Sequence, residues 1–252
     1  MTFSIIIPSY NQTDYIERTL VNVIELKNKA AVKQITIEIL LFDSNSNDAV
    51  QHIIEKYKAS IDYVETKKDN GQSDAINKGI ARCEGDYWTW LNTDDYLDHD
   101  GFFKMAEKLK SNSIIDYIYG SIAYMDADDK FMQLAKAKEL SLEKLINVTP
   151  GIFQPGSFFK TSFTKEIGLL SEYRCCFDYE YVLRCIKNNA KMYCCDFIVS
   201  HFRLHNTSKT GQLIPVFIRE KLTISKQYGR SVFSYLTWFS YVRLIKHKLF
   251  PR

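Results

Sequence analysis

Short, almost unbroken apolar runs alternate with amphipathic stretches through the first half of the chain. Residues 4–8 (SIIIP) and 35–42 (ITIEILLF) are near-continuous apolar runs, the pattern of strands buried on both faces. Residues 14–26 instead line up Ile16, Leu20, Val23 and Ile24 along one helical face. The same reading predicts helices over 49–57 and 74–81, and strands over 61–65 and 86–91 (DYWTWL). Strand–helix alternation with apolar strands predicts an α/β fold: a mainly parallel central sheet covered by helices on both faces.

The second half is less regular. It predicts strands over 114–124 and 192–202, and a turn leading into a strand over 154–160. Helices are expected over 101–110, 140–147, 179–188, 213–228 and 232–249. No repeat or low-complexity linker divides the chain. The expected organisation is one domain over 1–212 with a C-terminal helical appendage over 213–252.

In open sheets of this kind, ligands sit outside the carboxyl ends of the strands. Polar clusters fall at those ends. Ser9-Tyr10-Asn11 follows the first strand, Asp43 the second, and Asn92-Thr93-Asp94-Asp95 the fourth. Order of elements alone therefore points to a ligand site there.

Composition narrows the class. The chain has 252 residues, 46% apolar and 25% charged, which excludes disorder, collagen and coiled coil. No uncharged apolar run reaches 18 residues, which argues against a polytopic membrane protein. The apolar stretch from Phe3 to Ile7 is too short for a signal peptide. Six cysteines without zinc-like spacing suggest reduced thiols in a cytoplasmic protein.

The net charge of +3 hides an asymmetry. Residues 215–252 carry eight basic and one acidic side chain, leaving the rest net acidic. Residues 231–242 (SVFSYLTWFSYV) are uncharged and aromatic, and Arg243, Lys246, Lys248 and Arg252 follow. That tail fits an interfacial helix on anionic lipid, or a helix packed on the body or on a second subunit as a homodimer.

Four clusters carry candidate chemistry. Adjacent carboxylates at Asp94 and Asp95 repel unless a cation joins them, and oxygen ligands suit Mg²⁺ or Mn²⁺; a helix cap is the structural alternative. Residues 69–79 (DNGQSDAINKG) place a glycine turn before a helix start, where backbone N–H groups can meet an anion. Asp178 stands among aromatic residues at a helix start, as an N-cap or as a general base, and Glu180 can pair with Arg184. His201, Arg203 and His205 alternate onto one face of a strand end, where imidazole and guanidinium suit a metal-bound diphosphate.

Together these segments resemble the family 2 glycosyltransferases of the GT-A fold, in particular the bacterial branch that builds surface polysaccharides. The resemblance runs in order through residues 4–20, 40–50, 69–97, 153–172, 177–185 and 202–210. It implies a Rossmann-like GT-A domain and nucleotide contacts from Pro8, Ser9, Tyr10 and Asn11, with base contacts from Glu17 and Asp43. It implies that Gly71, Gln72, Asp74 and Asn77 lie over a nucleotide sugar, with a UDP-sugar as the expected donor. The DxD motif falls on Asn92-Thr93-Asp94, with Asn in place of its first acid. The resemblance then assigns donor contacts to Asn92, Thr93, Asp94 and Arg203, and Mn²⁺ or Mg²⁺ ligation to Asp94, Asp95 and His205. Asp178 falls on the family's base, with Phe177 where an acid usually precedes it. The implied reaction is metal-dependent, inverting transfer of a hexosyl or N-acetylhexosaminyl group to a hydroxyl of a glycan or lipid-linked acceptor. It would take place in the cytoplasm, at the inner face of the membrane where the tail binds lipid.

Other classes stay open at this point. A nucleotidyltransferase also uses acidic metal ligands, but its glycine-rich, lysine-containing N-terminal loop is absent. A non-catalytic nucleotide-sugar or glycan-binding protein would explain Asn92 and Phe177. No recognition motif accompanies the basic tail, so nucleic acid is not an expected partner.

Overall fold

The computed structural model describes residues 1–148, 152, 154–205 and 213–249. Residues 206–210 of the late histidine motif and 250–252 of the basic tail lie outside the described residues.

The expected α/β architecture is present. Strands β1 (Thr2–Ser9), β2 (Thr36–Asp43), β3 (Tyr63–Thr66) and β4 (Tyr87–Trp90) form a parallel half-sheet in the order β3-β2-β1-β4. Helices α1 (Ile16–Val32), α2 (Asp48–Tyr57) and α3 (Gln72–Arg82) make the crossovers. Alternation along β1 shows why its apolar run has no polar positions. Ile5 and Ile7 join the core under α1 and α2, whereas Ile6 joins the opposite core with Ile76 and Ile80 of α3.

Beyond β4 the sheet becomes mixed. Strands β5 (Tyr96–Leu97), β6 (Tyr117–Met125), β8 (Ser157–Lys160) and β9 (Met192–Arg203) continue it in the order β4-β8-β6-β9-β5, and β7 (Phe131–Ala135) forms a hairpin with β6. The β6–β9 pair is parallel; β8 runs antiparallel to both β4 and β6. Helix α4 (His99–Ser111) covers one face. Helices α5 (Leu142–Asn147), α6 (Thr161–Ile167) and α7 (Phe177–Lys187) cover the other. Helices α8 (Ile214–Gln227) and α9 (Tyr235–Leu249) complete the described chain. Among the described residues, no helix is long and apolar enough to cross a membrane.

Three elements escape the hydrophobic pattern. β5 has only two residues, and β7 is largely exposed, so neither shows a buried periodicity. α6 is short and polar, yet Thr164 anchors it by accepting from Trp88 Nε1 at 2.7 Å and from the Tyr181 hydroxyl at 2.8 Å.

Candidate active site

The carboxyl ends of β1, β2 and β4 open onto a cavity of about 1070 Å³. Register explains the convergence: Ser9 at the end of β1 lies opposite Asp43 at the end of β2. One wall is formed by Pro8, Ser9, Tyr10, Asn11 and Gln12, with Ser44 and Asn45. Asn11 adopts the left-handed backbone conformation (φ 51°) and ties these two loops together. Its N–H donates to Ser46 Oγ at 2.8 Å, and its Oδ1 accepts from the N–H of Asn47 at 2.9 Å.

Lys68, Asp69, Gly71 and Gln72 form the rim before α3. Gly71 has φ 118°, which a residue with a side chain rarely adopts, so the turn depends on glycine. From there Gln72 donates to Asn92 Oδ1 at 2.6 Å, and Asn92 Nδ2 donates to Asp95 Oδ2 at 3.1 Å. The Thr19 hydroxyl of α1 lies 3.0 and 2.8 Å from the carbonyls of Thr93 and Asp95, fixing the acidic loop from below.

Asp94 lines the cavity, and its Oδ2 lies 2.9 Å from Nε2 of His205. Asp95 does not join it. Its side chain is fully buried, accepting from the Arg203 N–H at 3.1 Å and from Asn92. Burial, then the neighbouring Asp94, pushes the Asp95 carboxyl well above the usual carboxylate range. Asp95, expected as a metal ligand, is not among the residues that line the cavity, and its oxygens are bonded within the protein.

Arg203, expected as a donor contact, is likewise bonded within the protein. Only 2% exposed, it donates to the carbonyls of Asp94 and Ala127 and pairs with Asp129 at 2.6 Å. Its guanidinium stacks 4.6 Å over Tyr15. It holds the acidic loop and the β6–β7 turn in place and does not line the cavity.

Four further residues expected at the site have partners within the protein and do not line the cavity. Glu17 pairs with Lys56 and accepts from the Tyr57 hydroxyl on α2, away from the cavity. Asp43 is buried and occupied by Ser46 and Gln51 within its own turn; the adjacent Ser44 and Asn45 reach the cavity instead. Asp74 accepts from the Asn70 N–H and pairs with Lys78. Asn77 exchanges two 2.9 Å hydrogen bonds with the backbone of Leu170, clamping α3 to the segment after α6.

The same cavity is lined by Arg174, Cys175, Phe177, Asp178 and Tyr179. Asp178 is in the first turn of α7, where its Oδ1 accepts from the Tyr179 N–H at 2.7 Å. Burial pushes its carboxyl up to about 6, against the opposing pull of that N–H and of the Lys221 ammonium. The expected Glu180–Arg184 pair forms at 2.6 Å, and Glu180 also accepts from the Tyr228 hydroxyl.

Sequence reasoning missed the contribution of α8. Leu213, Phe217 and Lys221 line the cavity beside Asp178. Glu220 explains how α8 is held there: its carboxylate accepts the N–H groups of Arg174, Cys175 and Cys176 at 2.8, 2.8 and 3.0 Å. A lone acid in a basic helix was the available signal. Ile122, Tyr124, Gln154 and Phe202 were missed as well; they reach the cavity from β6, the turn before β8, and β9.

A parallel α/β half-sheet extended by mixed strands, with an acidic loop at its carboxyl edge and a carboxylate across the cavity, is the arrangement of the GT-A class. The profile of Glycosyl transferase family 2 matches residues 4–177, and the chain belongs to that family. The solved structure of Staphylococcus aureus TarS 1–349 in complex with UDP-GlcNAc aligns over all of this chain and 76% of its own, with a TM-score of 0.69 and 16% identity. The UDP complex of the same protein aligns with a TM-score of 0.63, at 17% identity, over all of this chain and 73% of its own. Among sequences, the poly-beta-1,6-N-acetyl-D-glucosamine synthase of S. aureus strain MSSA476 is 31% identical over 114 residues, 44% of this chain and 26% of the relative. That of Staphylococcus epidermidis is 25% identical over 177 residues, 66% of this chain and 41% of the relative. The chain thus spans less than half the length of these sequence relatives.

Proposed function

We propose that the chain is an inverting, metal-dependent glycosyltransferase of surface-polysaccharide synthesis. It would move a hexosyl or N-acetylhexosaminyl group from a UDP-sugar to a hydroxyl of a glycan or lipid-linked acceptor. The observation that carries this reading is a single cavity lined by Asp94 at one end of the chemistry and Asp178 at the other. The relatives named for N-acetylglucosamine polymers, and the neighbour bound to UDP-GlcNAc, make UDP-GlcNAc the first donor to try.

The walls suit the two halves of such a donor. Ser9, Asn11, Ser44 and Asn45 offer hydrogen bonds to a base and ribose, and Gln72, Asn92 and Thr93 to the sugar–diphosphate. The Asp94 carboxylate and the His205 imidazole are hydrogen-bonded to each other at 2.9 Å; exchanging that bond for Mn²⁺ or Mg²⁺ would make them a partial ligand set, with donor oxygens and water completing it. Asp94 and His205 would therefore hold the ion, without Asp95. When bound, it would neutralise charge gathering on the diphosphate.

The chain's own residues account for the rest. The acceptor oxygen attacks the anomeric carbon while the bond from that carbon to the diphosphate oxygen breaks. Attack opposite the leaving group inverts the centre. The acceptor hydroxyl gives its proton to the Asp178 carboxylate as the new bond forms, a contribution of about 10²–10⁴-fold in rate. Phe177 and Tyr179 line the cavity beside that carboxylate.

Donor binding by calorimetry and transfer by product analysis test the reading together. Asp178→Asn should bind UDP-GlcNAc as the native chain does and lose transfer by at least about a hundredfold. Undiminished transfer removes Asp178 from the base role. Binding of nucleotide sugars without turnover of any donor would favour a non-catalytic binding protein.

A further inference from the structure

We propose that the groove between α8 and α9 seats the phosphate of a membrane-borne, lipid-linked acceptor whose sugar reaches Asp178. This deepens the transferase reading and rests on it.

The groove is lined by Phe217, Lys221, Phe239, Ser240 and Arg243, among others. Phe217 and Lys221 also line the main cavity, so the two spaces meet at Lys221. Lys221 and Arg243 converge on it, and neither has an ion pair or hydrogen bond among the described residues. Lys221 lies 5.2 Å over Tyr179 and 5.9 Å over Phe217, and the carboxylate that attracts it, Asp178, lines the main cavity and not the groove. The nearest acid on α8, Glu220, is committed to three backbone N–H groups. Asp178 attracts Lys221 from the main cavity while Arg243 repels it across the groove, so an anion seated between the two cations is stabilised by both. A phosphate oxygen is the anion that both ammonium and guanidinium recognise best.

The outer side of α9 says where that phosphate comes from. Trp238, Tyr241, Val242 and Ile245 are all exposed and recur at helical spacing, forming an apolar stripe that faces away from the protein. Leu236 and Ser240 are buried on the opposite side, and with Arg243 they border the groove. Phe233, 95% exposed, extends the apolar surface before the helix. A helix with an aromatic outer stripe and basic flanks lies in the lipid interface, its apolar face about 5–10 Å into the headgroup boundary. The groove would then open at headgroup depth, where a polyprenyl carrier presents its phosphate. A sugar attached to that phosphate passes Lys221 into the main cavity.

Vesicle sedimentation of the full chain tests this without any donor. The three vesicles are phosphatidylcholine alone, phosphatidylcholine with a polyprenyl phosphate, and phosphatidylcholine with phosphatidylglycerol at matched charge. Binding should be tightest to the polyprenyl phosphate vesicles. Lys221→Met and Arg243→Met should each weaken that binding roughly tenfold and leave binding to phosphatidylcholine unchanged. Lys221→Arg should retain most of it. Trp238→Ser combined with Ile245→Ser should weaken all three. Circular dichroism verifies that each variant is folded. Equal binding to the two anionic vesicles, unchanged binding by the Met variants, or no vesicle binding overturns the proposal. No transfer from any donor by the native chain, with vesicle binding intact, counts against the transferase reading instead.

Discussion

Nε2 of His205 lies 2.9 Å from Oδ2 of Asp94, although 111 residues separate them in the chain. β9 delivers the histidine and the loop after β4 delivers the aspartate. Arg203 joins the two elements, since its backbone holds Asp95 and its side chain holds the Asp94 carbonyl. The acidic loop is thus shaped by a strand that enters the sheet late, and consequences follow for several substitutions.

Arg203→Lys should be primarily a stability change. Lysine cannot reproduce the forked contacts to Asp94, Ala127 and Asp129, although Asp129 keeps its pair with Arg18. A loss of about 1–3 kcal/mol is expected in urea unfolding. A variant as stable as the native chain, with weakened nucleotide binding alone, would return Arg203 to direct donor contact.

Asn92→Asp should not improve the protein, although it restores the acid usual at that motif position. The new carboxylate would face the buried Asp95, in place of an amide that donates to it. At pH 8 the expected loss of stability is on the order of 1–3 kcal/mol. The loss should shrink at pH 5, where a shared proton can bridge the pair. A higher melting temperature at pH 8 would contradict this.

Asp178→Asn should raise stability while it removes transfer. The native carboxyl sits at about 6 in the fold against an ordinary value of 3.8, so the folded state binds its proton more tightly than the unfolded chain does. Stability contributed by this group therefore falls as pH rises from about 4 to about 6, and stays reduced above that. The variant should melt higher than the native chain at pH 8 and alike at pH 4. In the same window the transfer rate should fall as pH drops below about 6, because a protonated Asp178 cannot accept the acceptor's proton. A rate independent of pH between 5 and 7, with chemistry limiting, would contradict the assignment.

Glu220→Ala should loosen the cavity from its C-terminal side. Three N–H groups of residues 174–176 lose their acceptor, at about 1–3 kcal/mol. Hydrogen exchange should quicken at those amides and along α8. Protection as slow as in the native chain would show that other contacts hold α8 in place.

Much of the architecture was written in local pattern. The two-faced apolar runs of β1 and β2 required burial on both sides, and with the alternating helices that meant an α/β sheet with its ligand edge at Ser9, Asp43 and Asn92. The positions of Asp94 and Asp178 within one cavity were likewise anticipated, because motif order carried them. Pattern could not say which acid of a pair faces outward. Asp94 and Asp95 are neighbours with the same chemistry, and only the packing of Arg203 and Asn92 turned Asp95 inward. Nor could it tell a ligand contact from a structural clamp at Glu17, Asp74 or Asn77, since Lys56, Lys78 and Leu170 meet them only through the fold. The role of α8 at the cavity was equally hidden: the contact between Glu220 and residues 174–176 joins segments distant in the chain, and no periodicity encodes it. Sequence settled what each segment must bury, because burial follows local hydrophobic period. Tertiary structure decided which polar groups are used up by one another and which still face the cavity, because that depends on partners brought together only when the chain closes.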